Sequence, residues 1–488
     1  MGGLIQLVAY GEQDIVLTGS PTVTFFQAVY KRHTNFAMET IQQTVNGNLA
    51  ANGRLTLVVA RNGDLVGETY IELLSNTVTL GSNIFSGYST TTGVTDGTSW
   101  MAERAIIDVS LSIGGQQIDK HYQRWWRLYS ELYLDEAKKI QYGKMTSNPN
   151  LALGTTSAVT SGVAPSGTVY LPLLFFFNRN PGMYLPLIAL QYHEVRIDFD
   201  ISQEFQAYFS RTVFKVWSNY VYLDTEERKM FAQKGHEYLI EQLQYTGAVA
   251  LTATPGTTTN FTRITYNHPV KELVWCVTQN ASGGKQLWDF TKNAATVNTT
   301  LISTSPIMSN TYFSNINAAG TFIGVAPSNT ANTIGMLSNA YVVPNMMIPV
   351  SYCTGAPMQM FLSSQYPQYQ WCEDNVTANT SYGPVLDFKL IINGQDRMKA
   401  QSGKYYNQVQ SFNHHSSNPY PGIYSYSFAL KPEQHQPSGT CNFSRVDNSQ
   451  AAITLKSGVS AGSYLEMFAI NYNVLRIQSG MGGLAFSN

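Results

Sequence analysis

The residue types that could act as catalysts or metal ligands are few in this chain and are not grouped. Its eight histidines include no HExxH motif, and the adjacent His414 and His415 are not spaced along one face of a helix. His193 and Glu194 stand together on a predicted strand, where successive side chains point to opposite faces and do not form an acid–base pair. The carboxylates show no paired spacing typical of glycoside hydrolysis. We therefore predict that the protein is not an enzyme and uses no metal or cofactor.

The cysteines and one glycine-rich segment add no clearer chemistry. All four cysteines lie in the second half without CxxC or Cys/His ligand spacing, so we expect reduced, buried thiols. They are Cys276, Cys353, Cys372 and Cys441. The segment SGMGGLAFSN superficially resembles a phosphate-binding loop but lacks the strand-to-helix context of such a loop. We predict a flexible tail over residues 479–488 instead.

The composition points to a large protein whose surface carries little charge. At 488 residues the chain is expected to form two or more domains. Charged residues make up only 12%, while the chain contains 30 Tyr and 23 Phe. Either other copies cover much of the surface, since interfaces deplete charge and enrich aromatic residues, or neutral polar side chains do. A net charge of −1 argues against direct contact with nucleic acid. The first residues have no basic segment before an apolar run, so we expect no secretory signal.

Two surface features allow two readings each. Six N-x-S/T sequons occur, and the candidates for glycan attachment are Asn280, Asn298, Asn375 and Asn379; a loop rich in Asn and Thr also produces sequons by chance. The segment TFFQAVYKRHTNF combines apolar side chains with Lys31, Arg32 and His33. It is either an arm that docks on a partner or membrane surface or a strand packed beneath the first domain.

Internal similarity shows how the chain is organised. The segment DVSLSIGGQQIDK (108–120) shares six of thirteen residues with DFKLIINGQDRMK (387–399), at an offset of 279. Further matches follow in the same order at offsets of 251 (Pro181 and Pro432), 252 (Asn219 and Asn471) and 202 (Glu39 and Glu241). The two halves are therefore predicted to be copies of one domain. The second copy carries 77 extra residues before its hairpin (141 − 64), rich in Asn and Thr.

The local patterns predict strands with few helices. In both similar segments apolar residues alternate with polar ones, and Gly-Gly or Asn-Gly follows, which predicts a strand and a tight hairpin turn. One helix is predicted in HYQRWWRLYSELYLDEAKK, with an aromatic face in the core. Asp224 and Glu227 resemble a capping box and predict a short linker helix, after which the second domain begins near Glu237.

Many short strands in two copies predict an all-β fold of two tandem jelly-roll β-sandwiches, a double jelly roll with a few short helices and long loops. The predicted divisions are an arm (1–35), a first jelly roll (36–223), a linker (224–236), a second jelly roll (237–478) and the tail. A large loop insertion occupies about 250–384. Three such chains around a threefold axis would present six similar domains, a near-hexagonal block able to tile a surface.

Five segments also resemble a known family, the major capsid proteins of nucleocytoplasmic large DNA viruses, and most of all those of algal and giant viruses. They are GGLIQLVAYGEQDIVLTGSPTVTFFQAVYKRHTNFAMETIQQTVNG, LPLIALQYHEV, LDTEERKMFAQKGHEYLIEQLQ, QPSGTCNFSRVDN and NYNVLRIQSGMGGLAFSN. The resemblance leaves residues 146–169 and 281–384 uncovered.

The resemblance implies homotrimeric, pseudo-hexagonal capsomers that form an icosahedral shell over an internal membrane, made and assembled in the host cytoplasm. It implies contacts with neighbouring capsomers and with minor capsid and penton proteins. The arm would lie on the inner side, where we hypothesise that Lys31, Arg32 and His33 contact a partner, and the 250–384 loops would face outward. Two alternatives remain open from the residues: a carbohydrate-binding, lectin-like sandwich and a sandwich-fold glycosidase.

Overall fold

Antiparallel β-sheets dominate the computed structural model, and its helices are short. It describes residues 11–76, 78–80, 101–146, 162–164, 166–203, 205–252, 254–279, 348–350, 359–361, 370–372, 382–417, 419, 422–456, 459 and 463–486.

The first jelly roll is built from strands β1 to β12. Its first sheet has the order β1-β12-β4-β10, with β9 also paired to β4, and its second sheet has the order β2-β3-β11-β6-β7. A separate pair joins β5 and β8. The strands are β1 Phe36–Gln43, β2 Val45–Gly47, β3 Arg54–Val58, β4 Leu65–Ser75, β5 Val78–Leu80, β6 Ile106–Ile113, β7 Gln116–Tyr122, β8 Gly162–Ala164, β9 Thr168–Pro172, β10 Leu185–Pro186, β11 Val195–Ile201 and β12 Phe209–Leu223.

The second jelly roll is built from strands β13 to β26. Its first sheet has the order β13-β25-β15-β22, with β23 and β26 at the margins, and its second has the order β14-β24-β19-β20, with β21 paired to β19. A small sheet contains β16, β17 and β18. The strands are β13 His236–Ala250, β14 Thr259–Ile264, β15 Pro269–Gln279, β16 Ile348–Val350, β17 Gln359–Phe361, β18 Gln370–Cys372, β19 Val385–Ile392, β20 Gln395–Asp396, β21 Gln401–Ser402, β22 Ile423–Ser427, β23 Cys441–Asn442, β24 Ser449–Leu455, β25 Ser463–Gln478 and β26 Met481–Leu484.

The two jelly rolls repeat one strand order. In the first sheets β1, β12 and β4 correspond to β13, β25 and β15, and in the second sheets β3, β11 and β6 correspond to β14, β24 and β19. The hairpin turns agree as well, because Gly114 and Gly115 (φ +57° and +83°) match Asn393 and Gly394 (φ +51° and +79°). Positive φ at both central residues is the type I′ geometry, which agrees with the tight hairpin turn predicted from the sequence. The predicted double jelly roll is confirmed.

Side-chain direction corrects two of the offsets. Val216 lies in the core of the first jelly roll, whereas Trp217 points outward and its indole N–H donates to Glu72 (2.7 Å). In the second jelly roll Met467 lies in the core and Phe468 points outward. Trp217 therefore corresponds to Phe468, at an offset of 251 rather than 252, because a one-residue slip turns every side chain to the other face.

The same correction applies to the partner strands. Since β1 and β13 pair with β12 and β25 in fixed registers, their offset becomes 203 rather than 202. On β4 and β15 the offset is 204, which makes Ile71 equivalent to Trp275. Each of these residues lies in the core of its own jelly roll. The identities of Glu39 with Glu241 and of Asn219 with Asn471 do not mark equivalent positions.

The predicted aromatic helix forms two helices, α2 and α3. Trp125 and Trp126 are buried, as expected for a core face. Leu134 is extended, and Asp135 then accepts a hydrogen bond from the Lys138 N–H (2.7 Å), which begins the second helix. The α-helices are α1 Asp14–Thr18, α2 Gln123–Tyr133, α3 Glu136–Thr146, α4 Phe176–Arg179, α5 Phe205–Tyr208, α6 Thr225–Gln233 and α7 Gln410–His414, which continues a π-helix, Tyr405–Val409. Short 3₁₀ turns span Met101–Arg104, Pro181–Met183 and Phe443–Arg445.

The linker and the tail differ in detail from the sequence predictions. Helix α6 follows Asp224, but the Asp224 side chain makes no capping bond, so the predicted capping box does not form. The prediction of a flexible tail is wrong for residues 481–484, which form strand β26 and pair with β25. His193 precedes strand β11 rather than lying on it, and its Nδ1 is 2.9 Å from the Gly482 oxygen. Among the described helices, none is long and apolar enough to cross a membrane.

Candidate functional site

The two jelly rolls meet at a junction, which we define as the contact of β7 and α2 with the outer face of the β13-β25-β15-β22 sheet. The edge strands β7 and β13 are tied by hydrogen bonds. The Leu243 N–H donates to the Asp119 carboxylate (3.0 Å), and the Gln242 amide donates to the Ile118 oxygen. Bonds that include backbone groups fix the register of the two domains as well as their separation.

Apolar packing makes the junction continuous with the core of the first jelly roll. The Phe468 ring lies 5.8 Å from the ring of Trp125 on α2 and is stacked on Tyr245 at 4.5 Å. Leu243 and Ile470 belong to the same buried cluster as the first core. An interface that is packed like a domain interior resists relative motion of the two domains.

A buried ionic cluster lies beside α2 at the junction, and Arg179 of α4 takes part in it. Glu241 of β13 pairs with Arg179 of the first jelly roll (3.1 Å) and with Lys271 of its own sheet. Burial alone would raise the pKa of Glu241, but the two cations outweigh it and hold the pKa below its ordinary value. Glu241 is therefore ionised at neutral pH and joins the two halves.

A second set of bonds ends at Glu272, which is fully buried. It accepts a hydrogen bond from the Tyr133 hydroxyl of α2 and lies 2.6 Å from His415 Nε2. Burial lowers the pKa of His415, but Glu272 and Glu433 raise it by more, to about 9. The imidazolium is thus charged at neutral pH, and Glu272 links the helix of one jelly roll to a loop of the other.

Some of these groups line a cavity of about 240 Å³. Its lining includes Tyr129, Tyr133, Arg179, Glu241, Lys271, Glu433 and His435. The central cations and carboxylates are engaged with one another, so the arrangement stabilises an interface and offers no free nucleophile–base pair. Across the described residues no three His, Cys, Asp or Glu side chains are grouped to hold a metal ion.

No local pattern in the sequence predicts this cluster as a whole. Its signal is the pair Lys271-Glu272 within PVKELVWCV, where two adjacent charges interrupt an apolar strand. Charged residues are rarely fully buried unless paired, so such an interruption indicates buried partners elsewhere in the chain. In the sequence His415 stands out only as a possible metal ligand.

The arm is exposed over residues 18–35. Phe25 and Phe26 are 92% and 98% exposed, and no strand is formed between residues 19 and 35, so the alternative of a strand packed beneath the first domain is wrong. Lys31, Arg32 and His33 are exposed beside these apolar side chains. These three arm residues are not part of the junction between the jelly rolls.

The remaining candidate residues are distributed as follows. The sequons at Asn280, Asn298, Asn375 and Asn379 fall outside the described residues. Cys276 is a buried free thiol, and burial raises its pKa well above the ordinary value. Cys441 is a half-buried free thiol, while the side chains of Cys353 and Cys372 are not among those described.

Comparison with known proteins agrees with this architecture along the whole chain. The profile of the family described as "Large eukaryotic DNA virus major capsid protein" matches residues 227–483, and that described as "Major capsid protein N-terminus" matches residues 24–224. The chain belongs to this family of major capsid proteins. Nothing supports the lectin-like alternative, and the family is structural rather than enzymatic, as the sequence predicted.

Relatives and solved structures cover the chain almost completely. The major capsid proteins of Phaeocystis pouchetii virus and of Paramecium bursaria Chlorella virus 1 are 37% and 36% identical, each over 100% of both chains. A chain of the "PBCV-1 virus capsid, quasi-atomic model" is similar with a TM-score of 0.68 and 31% identity, covering 95% of this chain and 100% of that one. The Faustovirus major capsid protein, at 13% identity and a TM-score of 0.58, shares the fold.

Proposed function

We propose that this capsid protein forms homotrimeric, pseudo-hexagonal capsomers that tile an icosahedral shell. The observation that carries this is the repeated strand order of two jelly rolls joined by a packed, ion-paired junction. A chain that holds two similar domains rigidly supplies two of six similar positions, and three chains complete a near-hexagonal ring. The low charge and the many aromatic residues suit a surface that other copies cover.

The solution mass of the purified protein tests this proposal. Light scattering behind a sizing column should give 162.3 kDa (3 × 54.1 kDa), unchanged on dilution. Electron microscopy should then show near-hexagonal blocks. A folded 54.1 kDa monomer would contradict the proposal.

We propose that the arm, residues 1–35, contacts a partner on the inner side of the shell. Its exposed aromatic side chains beside Lys31, Arg32 and His33 suit either a minor capsid protein or the anionic surface of an internal membrane. Neighbouring capsomers and penton proteins are the other proposed partners. Direct nucleic-acid contact is not proposed, because the net charge is only −1.

Charge reversal in the arm provides the test. In a virus carrying Lys31→Glu and Arg32→Glu, trimers should form normally while closed shells are lost. The matched control reverses two exposed charges outside the arm, Lys234→Glu and Arg263→Glu, and should assemble normally. Normal shell yield from the arm variant would refute this role.

Assembly in the host cytoplasm and glycan attachment at Asn280, Asn298, Asn375 and Asn379 stay predictions from the sequence. The prediction of an outward-facing loop insertion over residues 250–384 is wrong for β14 (Thr259–Ile264) and β15 (Pro269–Gln279), because these strands belong to the two sheets of the second jelly roll. For the rest of that range it stays a prediction. Mass spectrometry of peptides from purified virions would detect glycans at the four sites.

A further inference from the structure

The junction within one chain has an unfilled counterpart on the same chain. Corrected for side-chain direction, four residues of the second jelly roll that are buried in the junction correspond to four residues of the first. The equivalent pairs are Leu243 with Thr40, Val274 with Tyr70, Phe468 with Trp217 and Ile470 with Asn219. The strand registers agree pair by pair: Thr40 is opposite Asn219 as Leu243 is opposite Ile470, and Tyr70 is opposite Trp217 as Val274 is opposite Phe468.

The exposure of the two faces differs sharply. On the second jelly roll all four residues are buried beneath the first. On the first jelly roll Thr40 is exposed, and Tyr70, Trp217 and Asn219 are half-buried. We call this outer face of β1, β12 and β4 the acceptor face. Two large aromatic side chains stand on it without the cover that their counterparts have.

The covering elements also recur. In the first jelly roll, helix α2 follows the β6–β7 hairpin and covers the junction. In the second, the π-helix and α7 follow the β19–β20 hairpin in the same place in the topology, and there Phe412 is 87% exposed. Leu430, which follows β22, is 74% exposed, and its carbonyl lies 3.2 Å from His414 Nδ1 at the end of α7. We call Phe412 and Leu430 the donor patch.

The ion pair of the junction has a counterpart of different chemistry. Arg179 corresponds to Leu430 at the offset of 251, and Glu241 corresponds to Met38 at the offset of 203. Inside the chain these positions hold a cation and an anion 3.1 Å apart. On the free surfaces they hold two apolar side chains, and Met38 is 52% exposed. Both members of the pair differ together, which is expected if the two free positions also face each other.

We propose that the donor patch of one copy packs on the acceptor face of the next copy, with Leu430 against Met38, and so repeats between chains the contact that joins the jelly rolls within a chain. This rests on the proposed self-association and assigns its surfaces. Each chain carries one donor patch and one acceptor face, so the contact is heterologous and closes into a ring when its rotation permits. An unrelated protein on either surface would require two separate occupants, whereas a second copy fits both.

A charge exchange tests the pairing. Leu430→Arg alone or Met38→Glu alone places an unpaired charge against an apolar side chain, and we expect the dissociation constant of the trimer to rise on the order of a hundredfold. The double variant recreates the Arg179–Glu241 pair between chains and should recover most of the loss. Phe261→Glu is the matched control, since Phe261 is 63% exposed on the other sheet of the second jelly roll.

Masses by light scattering over a dilution series, with circular dichroism and melting curves for each variant, separate the outcomes. If the unaltered protein is monomeric, the proposed self-association fails. If it is trimeric and both single variants dilute like the control, trimers stand but this assignment is overturned. Loss in the single variants without recovery in a folded double variant would overturn the pairing of Met38 with Leu430. The pairing of Met38 with Leu430 is supported only if both single variants lose the trimer and the double variant recovers it.

Discussion

Replacing Glu241 by Gln should weaken the junction far more than the same change on the same strand at Glu237. Both glutamates lie on β13, and each forms a short ion pair with an arginine. Arg179 is 3.1 Å from Glu241, and Arg476 is 2.8 Å from Glu237. Their surroundings differ. The Glu241 side chain is 8% exposed, Lys271 is 2% and Arg179 is 25%, whereas Glu237 and Arg476 are 61% and 56% exposed.

The magnitudes follow from this difference. Removing one partner of a buried pair leaves the other charges desolvated and costs about 3–5 kcal/mol. Solvent screens an exposed pair, whose loss costs about 0–1 kcal/mol. In Glu241→Gln the two cations lose their shared carboxylate, so we expect the larger cost, with Glu237→Gln as the matched control.

Urea unfolding at pH 7, followed by tryptophan fluorescence, measures both variants, because Trp125 of α2 packs at the junction. The Glu241→Gln midpoint should fall well below that of Glu237→Gln. Equal midpoints would refute the reasoning, since they would mean that the buried pair contributes no more than a surface pair. The stabilisation should also weaken in acid, because a depressed carboxyl pKa gives stability that is present above the ordinary pKa and is lost as pH falls through the folded value.

Two further results are expected at the junction. The pKa of His415 is raised to about 9, so its contribution to the free energy of unfolding should be complete below about pH 6.5 and lost as pH rises through 9. His415→Gln should therefore remove the alkaline decline of the urea midpoint, and an unchanged dependence of the midpoint on pH would contradict this. Phe468→Ala should lower the free energy of unfolding by about 3–5 kcal/mol and weaken the packing of both jelly rolls, because Phe468 belongs to the core of the first. Calorimetry would show this as a thermal transition at lower temperature and of greater width, and an unaltered transition would exclude a shared core.

Local patterns were sufficient to predict the strands and turns. Asn393-Gly394 and Gly114-Gly115 could be assigned to hairpin turns because only residues that tolerate positive φ fit there. The duplication was visible because the hairpin is repeated almost residue by residue. Sequence identity alone could not fix the alignment of β12 with β25. Moving the alignment of both paired strands by one residue leaves their pairing unchanged and alters only which side chains face inward.

The junction could not be predicted from local pattern. Arg179 and Glu241 are 62 residues apart (241 − 179), and Tyr133 and Glu272 are 139 apart, so no periodicity connects them. Their meeting depends on how one sheet packs on another domain. A lone charged pair in an apolar strand, such as Lys271-Glu272, indicates that buried partners exist but not which residues they are.

Strand β26 has a consequence for how the protein is made. It adds to the sheet of the second jelly roll, and it also reaches the first: the Leu484 N–H donates to the Gln116 side chain (3.1 Å), and Gly482 lies against His193, 289 residues away. During synthesis the first jelly roll can fold while later residues are still being added. The ties between the two domains are completed only when residues 481–484 have left the ribosome. An interrupted translation product therefore lacks the hydrogen bonds by which β26 ties the second jelly roll to the first.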